Sequence, residues 1–365
     1  MPHTLPSSRS SRASHVTNYV MVLMTFFNCS CSLFASSPST ILEQIRKNER
    51  HEIRVGTALM APAFDIFMCY RNDELIGFDA DVARHIVQKL SKEEEEKLRE
   101  PLRIRFIIYR WGNDLFKALQ SGKVDFIIAG LSPTAIREKK YHLAFTHPYV
   151  GDLRHVLIFE DKEQDNSYEP KEPQISDKTT FVSARGTTQQ DLAEFLSRAS
   201  GGRVELVETF ADGVFALIGR PDYILVGDEG LDNSIVDSPL SVFPMGQDWF
   251  QRKRQDPKFE KEFQVYQTKL QQEENKLHAY QTELQHAEKD RGIWNNELAI
   301  AVAQNQEDLW QTLNDIIRNE DEHLKKLKKF WFPKKQPPIE KNKQPSRCGA
   351  QQVDGFVYVE DQLPQ

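Results

Sequence analysis

The run 124–129, VDFIIA, is almost unbroken in apolar character. A strand with apolar side chains on both faces needs cover on both, and that arrangement belongs to sheets flanked by helices on either side. Its surroundings supply the helices. Residues 113–121 (NDLFKALQS) read as a helix stopped by Gly122, which suits a left-handed terminal position. Residues 77–90 (GFDADVARHIVQKL) read as another, with Val82, Ile86 and Leu90 at four-residue steps and Asp79 as its expected N-cap. Strands are expected at 52–56 (EIRVG) and 102–109 (LRIRFIIY). Strands alternating with helices predict an α/β design with mainly parallel sheets.

The same alternation starts again after a polar stretch at 161–178 that is rich in Glu, Asp, Lys and Pro and reads as a linker. Strands at 179–184, 203–207 and 223–226 enclose helices from Gln189 onward and at 211–218. A further strand is expected at 297–302 (ELAIAV), then helices over 308–319 and on to Trp331. A chain of 365 residues with two such runs is expected to form two lobes.

Residues 251–291 do not fit an α/β lobe. Phe263, Leu270, Leu277 and Leu284 recur every seven residues, with Tyr266, Glu273, Tyr280 and Ala287 three positions later. This is either a coiled-coil seam offering self-association, flawed at Glu273, or one long amphipathic helix folding back on its own lobe.

The ends have their own signatures. Arg9 and Arg12 precede a short apolar run at 19–27 and then small residues, the pattern of a secretory signal over 1–38; the alternative is an uncleaved anchor. Cys29 or Cys31 could carry a lipid, although the residues before each fit the lipoprotein cleavage pattern poorly. Cys69 and Cys348 are far apart, and a bridge between them is not expected. The tail 333–365, rich in Pro, Lys and Gln, reads as disordered. A net charge of −7 does not suit a nucleic-acid binder.

The candidate chemistry lies in three turns. After the 124–129 strand come Gly130, Ser132, Thr134 and then Arg137. Arginine offers a rigid fork of donors that matches a carboxylate, and a hydroxyl-rich turn beside it completes a cradle. Gly186-Thr187-Thr188 opens a helix and offers backbone N–H groups and hydroxyls to the same anion. Asp228 ends an apolar strand and offers a negative charge to an ammonium group. In open α/β sheets ligands bind beyond the carboxyl ends of the strands, where all three turns lie. The combination describes an α-amino acid to be captured. The Arg137 turn holds no catalytic dyad, metal-ligand set or phosphate loop, and no cofactor or metal is expected.

These stretches, taken in order, resemble a known family. GFDADVARHIVQKL, WGNDLFKALQSGKVDFIIAGLSPTAIREKKYHLAFTHPYV, SARGTTQQDLAEFL and the VGDEG turn are similar to landmarks of the family 3 (polar amino-acid) periplasmic solute-binding proteins of ABC transporters. The likeness covers about 51–332 without 251–291. It implies a two-lobed, hinged type 2 periplasmic-binding-protein fold, with lobe 1 at 50–153 plus 304–332, lobe 2 at 154–303, and crossovers near 152–154 and 303–305. It implies that Arg137 pairs with the ligand carboxylate and Thr188 hydrogen-bonds it across the cleft, with Ser132 and the Gly130 backbone also in contact. Asp228 would take the α-ammonium, and Trp111 and Phe64 would sandwich the side chain. A membrane permease would read the closed, amino-acid-loaded form in the periplasm.

The chain departs from the family pattern in its first loop, GTALMAPAFDIF. Met60 and Ala61 stand where an aromatic usually precedes a proline pair, and Ala58 stands where receptors for basic amino acids often carry an acid. Arg185 could face an acidic ligand side chain or water. Two rival readings follow from the residues. One is a dehydratase on the same scaffold, with Glu229 and His147 as proton-transfer candidates. The other is a sensor or scaffold that uses the 251–291 segment.

Overall fold

The computed structural model describes residues 39–59, 67–71, 74–94, 98–160, 171–229, 240–274, 276 and 295–332. The expected signal segment, the tail, Phe64, Cys29, Cys31, Cys348 and the heptad positions from Leu277 to Ala287 lie outside them.

Lobe 1 begins with α1 (Ile41–Arg46), β1 (Glu52–Ala58) and the small hairpin of β2 (Cys69–Arg71) and β3 (Glu74–Ile76). It continues with α2 (Phe78–Glu93), β4 (Arg103–Tyr109), α3 (Asn113–Gln120), β5 (Phe126–Ile127), α4 (Ala135–Tyr141) and β6 (Leu143–Phe145). The long strand β7 (Val150–Glu160) carries the chain into lobe 2. There follow β8 (Thr180–Ala184), α5 (Thr188–Ser200), β9 (Arg203–Val207), α6 (Phe210–Leu217), β10 (Tyr223–Asp228), β11 (Leu240–Pro244), α7 (Gln247–Lys253) and α8 (Pro257–Glu274). The chain returns through β12 (Asn295–Leu298) and β13 (Ala301–Ala303) and ends in α9 (Glu307–Asn319) and α10 (Asp321–Trp331).

The first sheet runs β4-β1-β5-β13-β6, and the second runs β11-β7-β10-β8-β9 with β12 paired to β7. Each sheet is parallel where a helix connects its strands, as in β4-β1-β5 and β10-β8-β9. Each turns antiparallel where a crossover strand enters, as at β13 and β7. A strand that arrives from the other lobe has no crossover helix to set its direction. β13 already belongs to the first sheet, so the return crossover lies at β12, before the expected 303–305. The expected single strand over 297–302 is two strands, broken at Ala299-Ile300.

Val82, Ile86 and Leu90 on α2 are buried with Ile53, Val55 and residues of α9 and α10 in one core. A second core covers the other face of the first sheet with Leu115, Phe116 and Leu119 of α3. The cap expected from Asp79 is not formed. The α2 N-cap is Gly77 at φ 130°, and Asp79 sits buried in the first turn instead. Only glycine suits Gly77: a Cβ there would stand 2.4 Å from the Phe67 carbonyl oxygen.

The described part of the heptad segment settles its alternatives. Phe263 and Tyr266 of α8 are buried in the core of lobe 2, against Phe195 of α5. The Phe195 and Tyr266 rings stack at 5.0 Å, and Lys269 pairs with Asp191 of α5 at 2.7 Å. Phe263, Tyr266 and the half-buried Leu270 therefore cover their own lobe, and no intermolecular seam is formed from them. The heptad spacing serves either role, since a seven-residue repeat says only that one face is apolar.

Cys69 is buried and disulfide-bonded, contrary to the expectation of no bridge. Its partner lies outside the described residues. No described helix is long and apolar enough to cross a membrane.

Candidate ligand-binding cleft

The three predicted turns meet in one cleft between the lobes. Its lining includes Ala58, Phe67, Gly130, Ser132 and Arg137 from lobe 1, with Thr187, Thr188, Gln189, Phe210 and Asp228 from lobe 2 and Trp111 at the junction.

Arg137 lies in the first turn of α4, whose N-cap Thr134 accepts the Arg137 N–H at 3.3 Å. The cap fixes the helix start and so aims the arginine back over the turn. The side chain is only 8% exposed. Nη1 donates to the Ser132 carbonyl at 2.6 Å, and Nη2 reaches across to the Gly186 carbonyl of lobe 2 at 2.9 Å. The guanidinium lies 5.7 Å from the Trp111 ring centroid and 5.9 Å from that of Phe116. Burial pushes its pKa down to about 10, with Asp191 and Tyr141 opposing the shift. It remains cationic at neutral pH. Among the described residues no carboxylate lies within ion-pair distance of it.

Facing it, Ser132 Oγ and Thr188 Oγ1 are 3.0 Å apart across the lobes. Thr188 opens α5, so the first-turn N–H groups of that helix add to the positive potential near Arg137. Thr187 is the N-cap. Its hydroxyl accepts from the Gln190 N–H at 3.3 Å and donates to the Ala184 carbonyl at 2.7 Å, so it holds the turn together. The Gly130 N–H donates to Asp79 at 2.6 Å. Asp79 also accepts from the Tyr149 hydroxyl at 2.8 Å, and so anchors the Gly130 turn to α2.

Asp228 ends β10 and is 7% exposed. Its carboxylate faces His155 Nδ1 at 2.8 Å and accepts from Asn296 Nδ2 at 2.8 Å and from Gln189 Nε2. These three partners come from β7, β12 and α5, so the anion is held by both crossover strands and by the helix that opens at Thr188. Sequence reading missed all three. Adjacency of Gln189 to Thr187-Thr188 was a usable signal, whereas His155 and Asn296 converge through strand pairing alone.

Trp111 packs against the cores of both lobes. The aromatic wall expected at Phe64 is supplied among the described residues by Phe67, whose carbonyl accepts the Asp79 N–H at 3.0 Å. Phe210, at the start of α6, forms a further wall that sequence reading missed. Neither proton-transfer candidate lines the cleft. Glu229 pairs with Arg154 at 2.7 Å, and His147 contacts Arg318.

The model of the bacterial extracellular solute-binding proteins, family 3, matches residues 53–334. The chain belongs to this family. Its fold agrees with the two lobes and the interlobe cleft described above. No curated protein matches in sequence. An ancestral arginine-binding protein bound to glutamine is similar in structure, at 18% identity and a TM-score of 0.52, over 78% of this chain and 98% of its own. The substrate-binding protein of an amino acid ABC transporter is similar at 21% and 0.50, over 77% and 99%. An ancestral amino-acid-binding protein, precursor of cyclohexadienyl dehydratase, is similar at 19% and 0.52, over 80% and 100%. At these identities the likeness establishes the fold.

Proposed function

We propose that this family 3 solute-binding protein captures a free amino acid between its lobes, outside the cytoplasm, and delivers it to the permease of an ABC importer. The observation that carries this reading is Arg137: a buried guanidinium in an interlobe cleft, without a carboxylate among the described residues to neutralise it. A buried charge of that kind calls for an anionic partner. Ser132, Thr188 and the α5 N-terminus stand beside it, and Asp228 lines the same cleft with the opposite charge. An α-carboxylate at Arg137 and an α-ammonium at Asp228 place a zwitterion across the two lobes, and its binding favours the closed state.

The disulfide at Cys69 supports an extracytoplasmic location, where disulfides persist. The printed description of one structural neighbour, a substrate-binding protein of an amino acid ABC transporter, supports the importer as partner. The dehydratase reading has the precursor of cyclohexadienyl dehydratase in its favour as a neighbour. It lacks an acid-base pair in this cleft, since Glu229 and His147 are engaged elsewhere.

The test is a thermal-shift panel of the proteinogenic amino acids on ligand-free protein, with Asp228→Asn alongside. A few related amino acids should raise the melting temperature, by an amount equivalent to about 2.7 kcal/mol at a hundredfold excess over Kd. Asp228→Asn should abolish that rise. A folded, ligand-free protein that responds to none of them defeats the proposal. Turnover of a prephenate-like acid would establish the enzyme instead.

A further inference from the structure

Two features of the cleft bear on which side chain it takes. The first is the fate of its charged groups. Asp79 accepts from the Gly130 N–H and the Tyr149 hydroxyl, and Asp228 is met by His155, Gln189 and Asn296. With the α-ammonium at Asp228 and the α-carboxylate at Arg137, the described lining has no further cation for an acidic side chain. Its one other carboxylate, Asp79, is already doubly bonded and buried. The remaining wall is apolar, formed by Ala58, Phe67, Met68, Ala129 and Phe210.

The second feature is Trp111. Its indole Nε1 is buried and has no hydrogen-bond partner, although the ring lines the cleft. Buried indole N–H groups normally find an acceptor, and leaving one unmade is costly. The Arg137 guanidinium lies 5.7 Å from the Trp111 ring centroid. A ligand whose carboxylate sits on Arg137 therefore sends its side chain past the indole.

We infer that Trp111 is a specificity residue that selects amino acids whose side chain is uncharged and carries a hydrogen-bond acceptor oxygen. This rests on the amino-acid reading above. The apolar wall rejects a charged side chain because burying an unpaired charge costs far more than a neutral polar group. The indole N–H rejects a purely apolar one because its own hydrogen bond would stay unmade.

The experiment is titration calorimetry on the ligand-free protein with three isosteric pairs: glutamine and norleucine, asparagine and leucine, threonine and valine. Lysine and glutamate serve as charged controls. At least one polar member should bind about tenfold or more tightly than its apolar isostere, and more tightly than lysine or glutamate. Trp111→Phe keeps an aromatic ring and removes the donor. It should shrink that preference to within about threefold, chiefly by weakening the polar ligand.

Binding of lysine, glutamate or an apolar isostere at least as tightly as every polar member would overturn the inference and leave the amino-acid reading standing. So would a polar preference that survives Trp111→Phe intact. Failure of every amino acid to bind folded protein would overturn both. Should Trp111→Phe not fold, the wild-type ranking alone decides.

Discussion

Replacing Arg137 with alanine separates two effects that a simple anchor residue would combine. The guanidinium is 8% exposed, and burial holds its pKa at about 10 against an ordinary 12.5. A displacement of that size corresponds to about 3 kcal/mol working against the charged form in the folded protein. Its hydrogen bonds to the Ser132 and Gly186 carbonyls, at 2.6 and 2.9 Å, return about 1.5–3 kcal/mol each. The two contributions nearly cancel, so the unliganded Arg137→Ala protein should differ from wild type by no more than about 2 kcal/mol, a melting shift of a few degrees. Binding should respond very differently. A ligand carboxylate left without its partner in a buried site costs about 3–5 kcal/mol, which weakens binding by a few hundredfold to a few thousandfold. Arg137→Lys, which keeps the charge and loses the fork, should fall between the two. Scanning calorimetry without ligand and titration calorimetry with it read the two quantities separately. An Arg137→Ala protein that is folded and binds within about tenfold of wild type would refute the assignment of Arg137 as the carboxylate anchor.

Three further outcomes are expected. His85 stacks on His323 at 3.8 Å and hydrogen-bonds Glu320 at 3.0 Å, and burial, followed by the charge of His323, lowers its pKa below the ordinary 6.5. The unfolded chain therefore takes up the proton first, so stability is intact above about pH 6.5 and falls as pH drops through that value. Urea midpoints should decline from about pH 7 to 5 in wild type and decline less in His85→Gln; equal slopes would remove His85 from the account. Gly77→Ala should cost about 1–3 kcal/mol or more, because the backbone is held at φ 130° with the Phe67 carbonyl against the new Cβ, and it should weaken ligand binding as Phe67 shifts. Unchanged stability and affinity would contradict the close approach. Phe263→Ala should lower stability by about 3–5 kcal/mol without changing the sedimentation coefficient, since Phe263 is buried within its own lobe. A change in mass with unaltered stability would return the α8 face to an intermolecular role.

The sequence by itself determined what depends on short-range pattern and residue chemistry. Val82, Ile86 and Leu90 sit on one face of α2 because a helix repeats every 3.6 residues, and that face is buried in the structure. Arg137 follows an apolar strand and a capping threonine, and it lies buried in the cleft with Ser132, Thr188 and Asp228. These pieces were readable because each is fixed by neighbours a few positions away.

Only the tertiary structure decided what depends on partners distant in sequence. Asp79 looked like a helix cap, yet its carboxylate turns to the Gly130 N–H and the Tyr149 hydroxyl, which no local pattern announces. Asp228 is held by His155 and Asn296 because two crossover strands pair beside it. Cys69 is oxidised although spacing argued against a bridge. The α8 heptads were ambiguous because periodicity fixes which face is apolar and leaves open what covers it, and here α5 of the same lobe does so. Local sequence thus specifies elements and chemical groups; the lobes' packing determines which groups face one another across the cleft.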